Sequence, residues 1–183
     1  MIEKIRADLV GSRVVVWDIE AANRLYRSGF YGKPLGIRKV KDLEFRAPLE
    51  LSLIEAVYLC KNKIIKIYED ERELSCNELI ERAEKWFTRF RDVYHVYEDL
   101  RLKGYIIKPG LKFGTTFAVY KYGPGIDHAP FLVHVFQPET TIDPIEIVRA
   151  GRLSHSVKKK FIIACINQKT REINYYVFKW WKA

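Results

Sequence analysis

Methionine occurs once and glutamine only twice in this chain of 183 residues. With lysine and glutamate abundant, that scarcity hints at a thermophilic source. Cysteine is also sparse. Cys60, Cys76 and Cys165 are odd in number, widely spaced and without a CxxC pair. They exclude a disulfide framework of the small secreted kind and are expected as reduced core thiols. The four histidines show no metal-ligand spacing to one another, to cysteine or to paired carboxylates, so no metal and no cofactor are expected. Apolar runs such as Phe161–Ile166 fall far short of the ~20 residues that span a bilayer. Met1 to Arg6 carries no signal-peptide apolar region. The expectation is a cytoplasmic protein without a membrane segment. No internal repeat and no low-complexity linker interrupts the chain.

What remains is a core-forming composition, 48% hydrophobic and 14% aromatic. Disorder is excluded on that ground, and the length fits one domain or two of roughly 90 residues each. The net charge of +9 is unevenly placed. Residues 1–95 hold 18 Lys/Arg against 16 Asp/Glu, and residues 96–183 hold 14 against 7. An excess of +2 thus faces one of +7, so an anionic partner is expected at the C-terminal half, with nucleic acid the usual candidate.

Local patterns give an α+β chain. Residues 5–17 read as a hairpin turning at Gly11-Ser12. Asp18 caps a helix through Arg27 that stops at Gly29, and Tyr31-Gly32-Lys33-Pro34 reads as a turn. Ser52 with Glu55, and Ser75 with Glu78, form capping boxes. The first opens a helix over Leu53–Lys61. The second opens helical sequence reaching Lys103, with a break expected between Phe90 and Tyr97. Lys63–Tyr68 reads as a strand. The domain boundary is placed at that break: a small N-terminal α/β domain over residues 1–93 and a mixed-sheet domain over 94–183. In the second domain Tyr105–Lys108, Thr115–Lys121 and Phe131–Phe136 are strand-like. Asp143-Pro144-Ile145-Glu146 opens a helix ending near Arg152. Lys160–Ile166 and Ile173–Trp181 are two further strands around the turn Asn167–Arg171. The apolar terminal strand is expected to associate with a second copy through Tyr175, Val177 and Phe178.

Three segments carry side chains suited to proton transfer. Tyr120 closes an apolar strand. His128 follows the loop Gly123-Pro124-Gly125-Ile126-Asp127. Lys158-Lys159-Lys160 enters another strand, in which alternation turns Lys159 away from its two neighbours. A phenol, an imidazole and an ammonium suffice for metal-free cleavage of RNA by its own 2′-OH. One group takes the proton, one protonates the leaving 5′-oxygen, and one offsets charge on the pentacoordinate phosphate. Taken alone, each residue has a plainer reading: an exposed histidine, a packing or stacking tyrosine, a charged strand end. A phenol titrating near 10 suits base work poorly at neutral pH unless a nearby cation lowers it. His134, inside an apolar strand, reads as structural. His95 and His155 have no distinguishing context.

Together these segments resemble the archaeal tRNA-splicing endonuclease family, also called tRNA-intron endonuclease. The resemblance spans nearly the whole chain. Leu25–Lys33 and Leu51–Leu59 look like the family's N-terminal domain. Gly110-Leu111-Lys112-Phe113-Gly114, Val119-Tyr120, Gly123-Pro124 and His128-Ala129 look like its catalytic core. Leu153–Lys159 looks like the third catalytic segment.

The resemblance implies a tRNA-intron lyase with a restriction-endonuclease-like C-terminal domain. Tyr120 would be the general base, His128 the general acid and Lys159 the stabiliser of the transition state, with Lys158 the alternative to Lys159. The substrate would be precursor tRNA with a bulge-helix-bulge at the intron junctions, cut without metal to a 2′,3′-cyclic phosphate and a 5′-hydroxyl. Arg152 would clamp a bulged base together with Trp181 or Trp180. One departure stands out. Some members carry an acidic loop between the last two strands that docks on another subunit, whereas here it is Asn167-Gln168-Lys169-Thr170-Arg171-Glu172. The family pattern then implies an α₂β₂ heterotetramer with a homologous structural subunit, or alternatively a homotetramer. The chain is also shorter than the fused homodimeric class. A non-catalytic RNA-binding subunit of the same assembly is the other reading. A Mg²⁺-dependent DNA nuclease lacks its carboxylate constellation here.

Overall fold

The structure, a computed structural model, describes residues 4–38, 40, 43–136, 144–145, 147–148, 151 and 159–178. The chain divides into two units, residues 1–91 and 92–183.

The first unit is a six-stranded sheet with three helices. In chain order it runs β1 (Ile5–Val10), β2 (Arg13–Val16), α1 (Ile19–Gly29), β3 (Lys33–Pro34), β4 (Leu49–Ser52), α2 (Leu53–Lys61), β5 (Ile65–Glu69), β6 (Arg72–Leu74) and α3 (Cys76–Trp86). The sheet order is β3-β4-β2-β1-β5-β6, with only β1 and β5 parallel. The expected hairpin forms between β1 and β2, and Asp18 caps α1 by accepting the Ala21 N–H at 2.7 Å. That helix closes on Phe30 in the left-handed region (φ 56°), one residue beyond the expected glycine. The Phe30 ring packs edge-on against Tyr26 at 5.4 Å, so aromatic packing outweighs the glycine preference.

Both capping boxes are present. In the first, Glu55 is buried, and its carboxylate accepts from the Ser52 N–H at 2.9 Å, the Ser52 hydroxyl at 2.7 Å and the Gly32 N–H at 2.9 Å. One side chain thus ties the turn before β3 to the start of α2. Three short strands escaped the sequence reading; the first, β3, is formed by the last two residues of the expected turn Tyr31–Pro34, which pair with Glu50 and Leu49. In β4, Leu49 and Leu51 are fully buried and alternate with Glu50 and Ser52. Four residues running directly into a capping box are too few to signal a strand. β6 is three residues of charged edge strand.

The cysteines depart from expectation. Cys60, in the last turn of α2, and Cys76, the first residue of α3, are joined in a disulfide; only Cys165 is free. Their 16-residue separation carries no pairing signal, because the pairing comes from α2 packing on α3. The long helical run is broken at residues 87–89, earlier than expected, with Phe87 extended and Arg89 at φ 63°.

Beyond the break lies α4 (Phe90–Leu102), whose residues from Asp92 onward belong to the second unit. There follow β7 (Ile106–Pro109), a single 3₁₀ turn (Leu111–Phe113), β8 (Phe117–Tyr120), β9 (Phe131–Phe136), β10 (Lys160–Ile166) and β11 (Ile173–Phe178). The sheet order is β11-β10-β9-β8-β7, and it is mixed: β9 and β10 are parallel, the other neighbours antiparallel. Residues 144, 145, 147, 148 and 151 are helical, as the third capping box implies, while Asp143 and Glu146 themselves lie outside the described residues.

Alternation along the strands gives the sheet two distinct faces. Val119, Phe131, Val133, Ile162 and Tyr175 line a cavity of about 200 Å³ together with Leu100 of α4. Tyr97 of α4 reaches Phe117 at 5.9 Å on that same face. Asp99 accepts the Tyr175 hydroxyl at 2.6 Å and pairs with Lys103. Tyr175 is thus held within its own unit by Asp99, while Tyr176, Val177 and Phe178 are the exposed large hydrophobic residues of β11. The other face carries the buried cluster Ala118, Ala129, Leu132, Phe161 and Ile163, with Phe113 and Tyr120 packed against it. Turn 167–172 is pinned back on α4. The Arg171 guanidinium meets Asp92 at 2.8 Å, and His95 Nε2–H donates to the Arg171 carbonyl at 2.8 Å.

Closing a loop of this size removes chain entropy from the unfolded state equivalent to about 3 kcal/mol. Cys60→Ser and Cys76→Ser should each lower the thermal midpoint under oxidising conditions, by the amount that reductant lowers it for the unsubstituted protein. Cys165→Ser should leave that response to reductant in place.

Candidate active site

Pairing of β9 with both its neighbours brings three distant segments to one end of the second sheet. β8 runs antiparallel to β9, with Val119 opposite Phe131, so β8 ends beside the start of β9. β10 runs parallel to β9, with Lys160 opposite Phe131 and the Lys160 N–H on the Pro130 carbonyl at 2.9 Å. Tyr120, at the end of β8, His128, in the loop before β9, and Lys159, just before β10, therefore meet at the same end.

Two loops fix these positions. In the first, Gly110 precedes the 3₁₀ turn, and a Cβ there would lie 2.3 Å from the Thr115 hydroxyl and 2.7 Å from its carbonyl. Thr115 is buried, so only glycine fits. That turn carries Lys112 and Phe113. In the second, Gly123 stands at φ 125° and Gly125 at φ 91°, a backbone that side chains rarely adopt. The Asp127 carboxylate fills the inside of this loop. It accepts the N–H groups of Lys121 at 3.1 Å, Tyr122 at 3.3 Å and Gly123 at 2.8 Å.

Lys159 Nζ donates to the Ala129 carbonyl at 2.6 Å and stands 5.5 Å from the centre of the Phe113 ring. Lys112 Nζ lies 5.0 Å from the same ring. Burial lowers the pKa of Lys159, repulsion from Lys112 lowers it further, and Asp127 opposes both. Tyr120 is half-buried, and burial, followed by the Asp127 charge, pushes its phenol above the ordinary value. That is opposite to the lowering by a cation which base work at neutral pH would favour. His128 is exposed and flanked by Asp127 and the buried Ala129.

The sequence reading left Lys159 and Lys158 as alternatives; it is Lys159 whose ammonium reaches the Ala129 carbonyl, and Lys158 lies outside the described residues. Arg152, Trp180, Trp181 and His155 also lie outside them. His134 lies within β9, its ring 4.6 Å from that of Phe136. Sequence reasoning gave no role to Lys112, Phe113 or Asp127. For Asp127 a signal existed, since aspartate within a Gly-rich turn commonly takes up nearby backbone N–H groups. Among the described residues no three His, Cys, Asp or Glu side chains gather as a metal site, and no helix is long and apolar enough to cross a membrane.

Comparison with known proteins agrees with this architecture. Residues 5–80 match the tRNA intron endonuclease N-terminal domain, and residues 90–175 match the tRNA intron endonuclease catalytic C-terminal domain. The tRNA-splicing endonuclease of Hyperthermus butylicus is 51% identical over 179 residues, covering 97% of this chain and 99% of its own. Those of Saccharolobus islandicus and Sulfolobus acidocaldarius are each 43% identical, again over 97% of this chain and 99% of theirs. With both halves matched in order and nearly every residue aligned, the chain belongs to the tRNA intron endonuclease family, endoribonucleases that cleave introns from tRNA.

Proposed function

We propose that this endoribonuclease cuts precursor tRNA at bulge-helix-bulge junctions by metal-independent transesterification. The observation that carries the reading is the convergence of Tyr120, His128 and Lys159 at one end of the second sheet. Tyr120, as phenolate, takes the proton of the 2′-OH. The 2′-oxygen attacks the adjacent phosphorus and the bond to the 5′-oxygen breaks. That oxygen leaves with a proton from the His128 imidazolium, giving a 2′,3′-cyclic phosphate and a 5′-hydroxyl. The Lys159 ammonium offsets the extra charge on the pentacoordinate phosphate, and its partial burial strengthens that interaction. The raised phenol of Tyr120 makes its phenolate scarce but strongly basic. Catalysis is placed in the C-terminal domain over residues 94–183, with residues 1–93 as the N-terminal α/β domain. Arg152 with Trp181 or Trp180 would clamp a bulged base.

Assembly follows the same reading. Turn 167–172 presents Lys169, and its Arg171 is engaged by Asp92, so the turn offers no acidic plug for a basic groove. The exposed apolar edge residues Tyr176, Val177 and Phe178 suit pairing with another subunit. This favours an α₂β₂ tetramer with a homologous structural subunit over a homotetramer. The protein is placed in the cytoplasm, where a disulfide is compatible with a hyperthermophilic host.

The deciding experiment is cleavage of an intron-bearing precursor tRNA by the assembled enzyme in excess EDTA. Cleavage should persist, because no step calls on a metal. Loss in EDTA that Mg²⁺ restores, with RNA folding held constant, would sink the mechanism. RNA binding without cleavage, alone or with a partner, would point instead to a structural subunit.

His128→Ala should slow single-turnover cleavage by roughly 10²–10⁴-fold with little change in RNA affinity. His134→Ala should act through the thermal midpoint. An exchange of those two phenotypes would show the histidines to be misassigned.

Lys159 should lose its proton at lower pH than an ordinary surface lysine, since burial and Lys112 both disfavour the ammonium. Lys112→Gln removes one repelling charge, so the Lys159 midpoint should rise. The ¹³Cε chemical shift of Lys159 followed against pH reads both effects; an unmoved midpoint would show Lys112 to be without influence.

A further inference from the structure

Between Tyr120 and His128 the chain is organised around one side chain that the mechanism above does not use. We infer that Asp127 is a positioning residue of the cleavage site, locking the end of β8 to the residue that carries the acid. The inference rests on the reading of Tyr120 and His128 as the reacting groups.

The geometry is specific to a carboxylate. Oδ2 accepts from Lys121 and Tyr122, and Oδ1 accepts from Gly123. These donors are the residues that directly follow Tyr120, and Asp127 directly precedes His128. The loop is closed a second time by the N–H groups of Ile126 and Asp127 on the Gly123 carbonyl, at 3.1 and 3.0 Å. The side-chain contacts tie the three residues after Tyr120 to the residue before His128 through one carboxylate. With positive φ at Gly123 and Gly125, this loop has no regular ladder to hold it, so removing the acceptor leaves the placement of His128 loose. A misplacement of about 1 Å is enough to reduce rate by roughly 10²-fold.

Its charge has a second effect. Asp127 acts on Tyr120 at the end of β8 and on Lys159 just before β10, while Lys112, on the 3₁₀ turn, acts on Lys159 with the opposite sign. A negative charge favours the phenol over the phenolate and the ammonium over the amine. A residue acting only as scaffold would leave both titrations unmoved when exchanged for a neutral isostere.

Asparagine separates the two effects. It keeps one acceptor oxygen and turns an NH₂ toward the remaining donors, and it carries no charge. In the assembled enzyme under single turnover, Asp127→Ala should lower the cleavage rate about 10–100-fold, with the Kd for precursor tRNA within about twofold. Asp127→Asn should fall between it and the unsubstituted enzyme, and the limbs of its pH–rate profile that report Tyr120 and Lys159 should both move to lower pH. Thermal midpoints taken alongside identify loss of fold.

The inference is overturned if Asp127→Ala cleaves within about twofold of the unsubstituted enzyme at every pH while Tyr120→Phe and His128→Ala are inactive. It is also overturned if its rate loss is matched by loss of RNA affinity or thermal midpoint and the Asp127→Asn limbs do not move. Full activity of Tyr120→Phe and His128→Ala would bring down the site reading itself, and the inference with it.

Discussion

The parallel pairing of β9 with β10 is the constraint on which the rest of the second unit depends. Antiparallel neighbours can be joined by a tight turn, but parallel ones need a crossover long enough to return the chain to the end from which it left. That return brings Lys159, thirty residues after Ala129 in sequence, to within hydrogen-bonding distance of the Ala129 carbonyl. Had β10 run antiparallel to β9, its first residues would lie at the opposite end, and the ammonium would be removed from the phenol by the length of a strand. Strand direction therefore decides whether there is a site at all.

The sheet's two faces divide the work between them. One is occupied by α4, held through Asp99, Asp92 and His95 to β11 and its preceding turn. The other carries the buried cluster of Ala118, Ala129, Leu132, Phe161 and Ile163, against which the Tyr120 ring packs. Lys112 and Asp127 both act on Lys159 at a partly desolvated corner, so a change of either charge is felt there more strongly than it would be in open solvent.

Much of this was legible in the sequence, for identifiable reasons. Asp18, Ser52–Glu55 and Ser75–Glu78 announced three helices because capping is a contact between residues three apart. The strands of the second unit were readable from their β-branched and aromatic content. What stayed hidden depends on the chain meeting itself over distance or on segments too short to show a period. β3, β4 and β6 belong to the second kind, and the Cys60–Cys76 bond, the Lys159–Ala129 contact and the pinning of Arg171 to the first. The tyrosine is instructive in another way. Its type and place were evident, yet the sign of its pKa shift followed from burial and from Asp127, which the linear pattern did not weigh.

The oxidised pair at Cys60 and Cys76 leaves one thiol in the chain, and its location is useful. Cys165 lies on the face that bears Tyr120, packed against the same cluster but near the far end of β10, roughly 20 Å along the strand from Lys159. Burial raises its pKa, so reagents will attach there slowly and only at high pH. A fluorophore so attached needs no engineered cysteine. It sits at a suitable range to report, by energy transfer from a labelled RNA, when a junction reaches the cleavage end of the sheet.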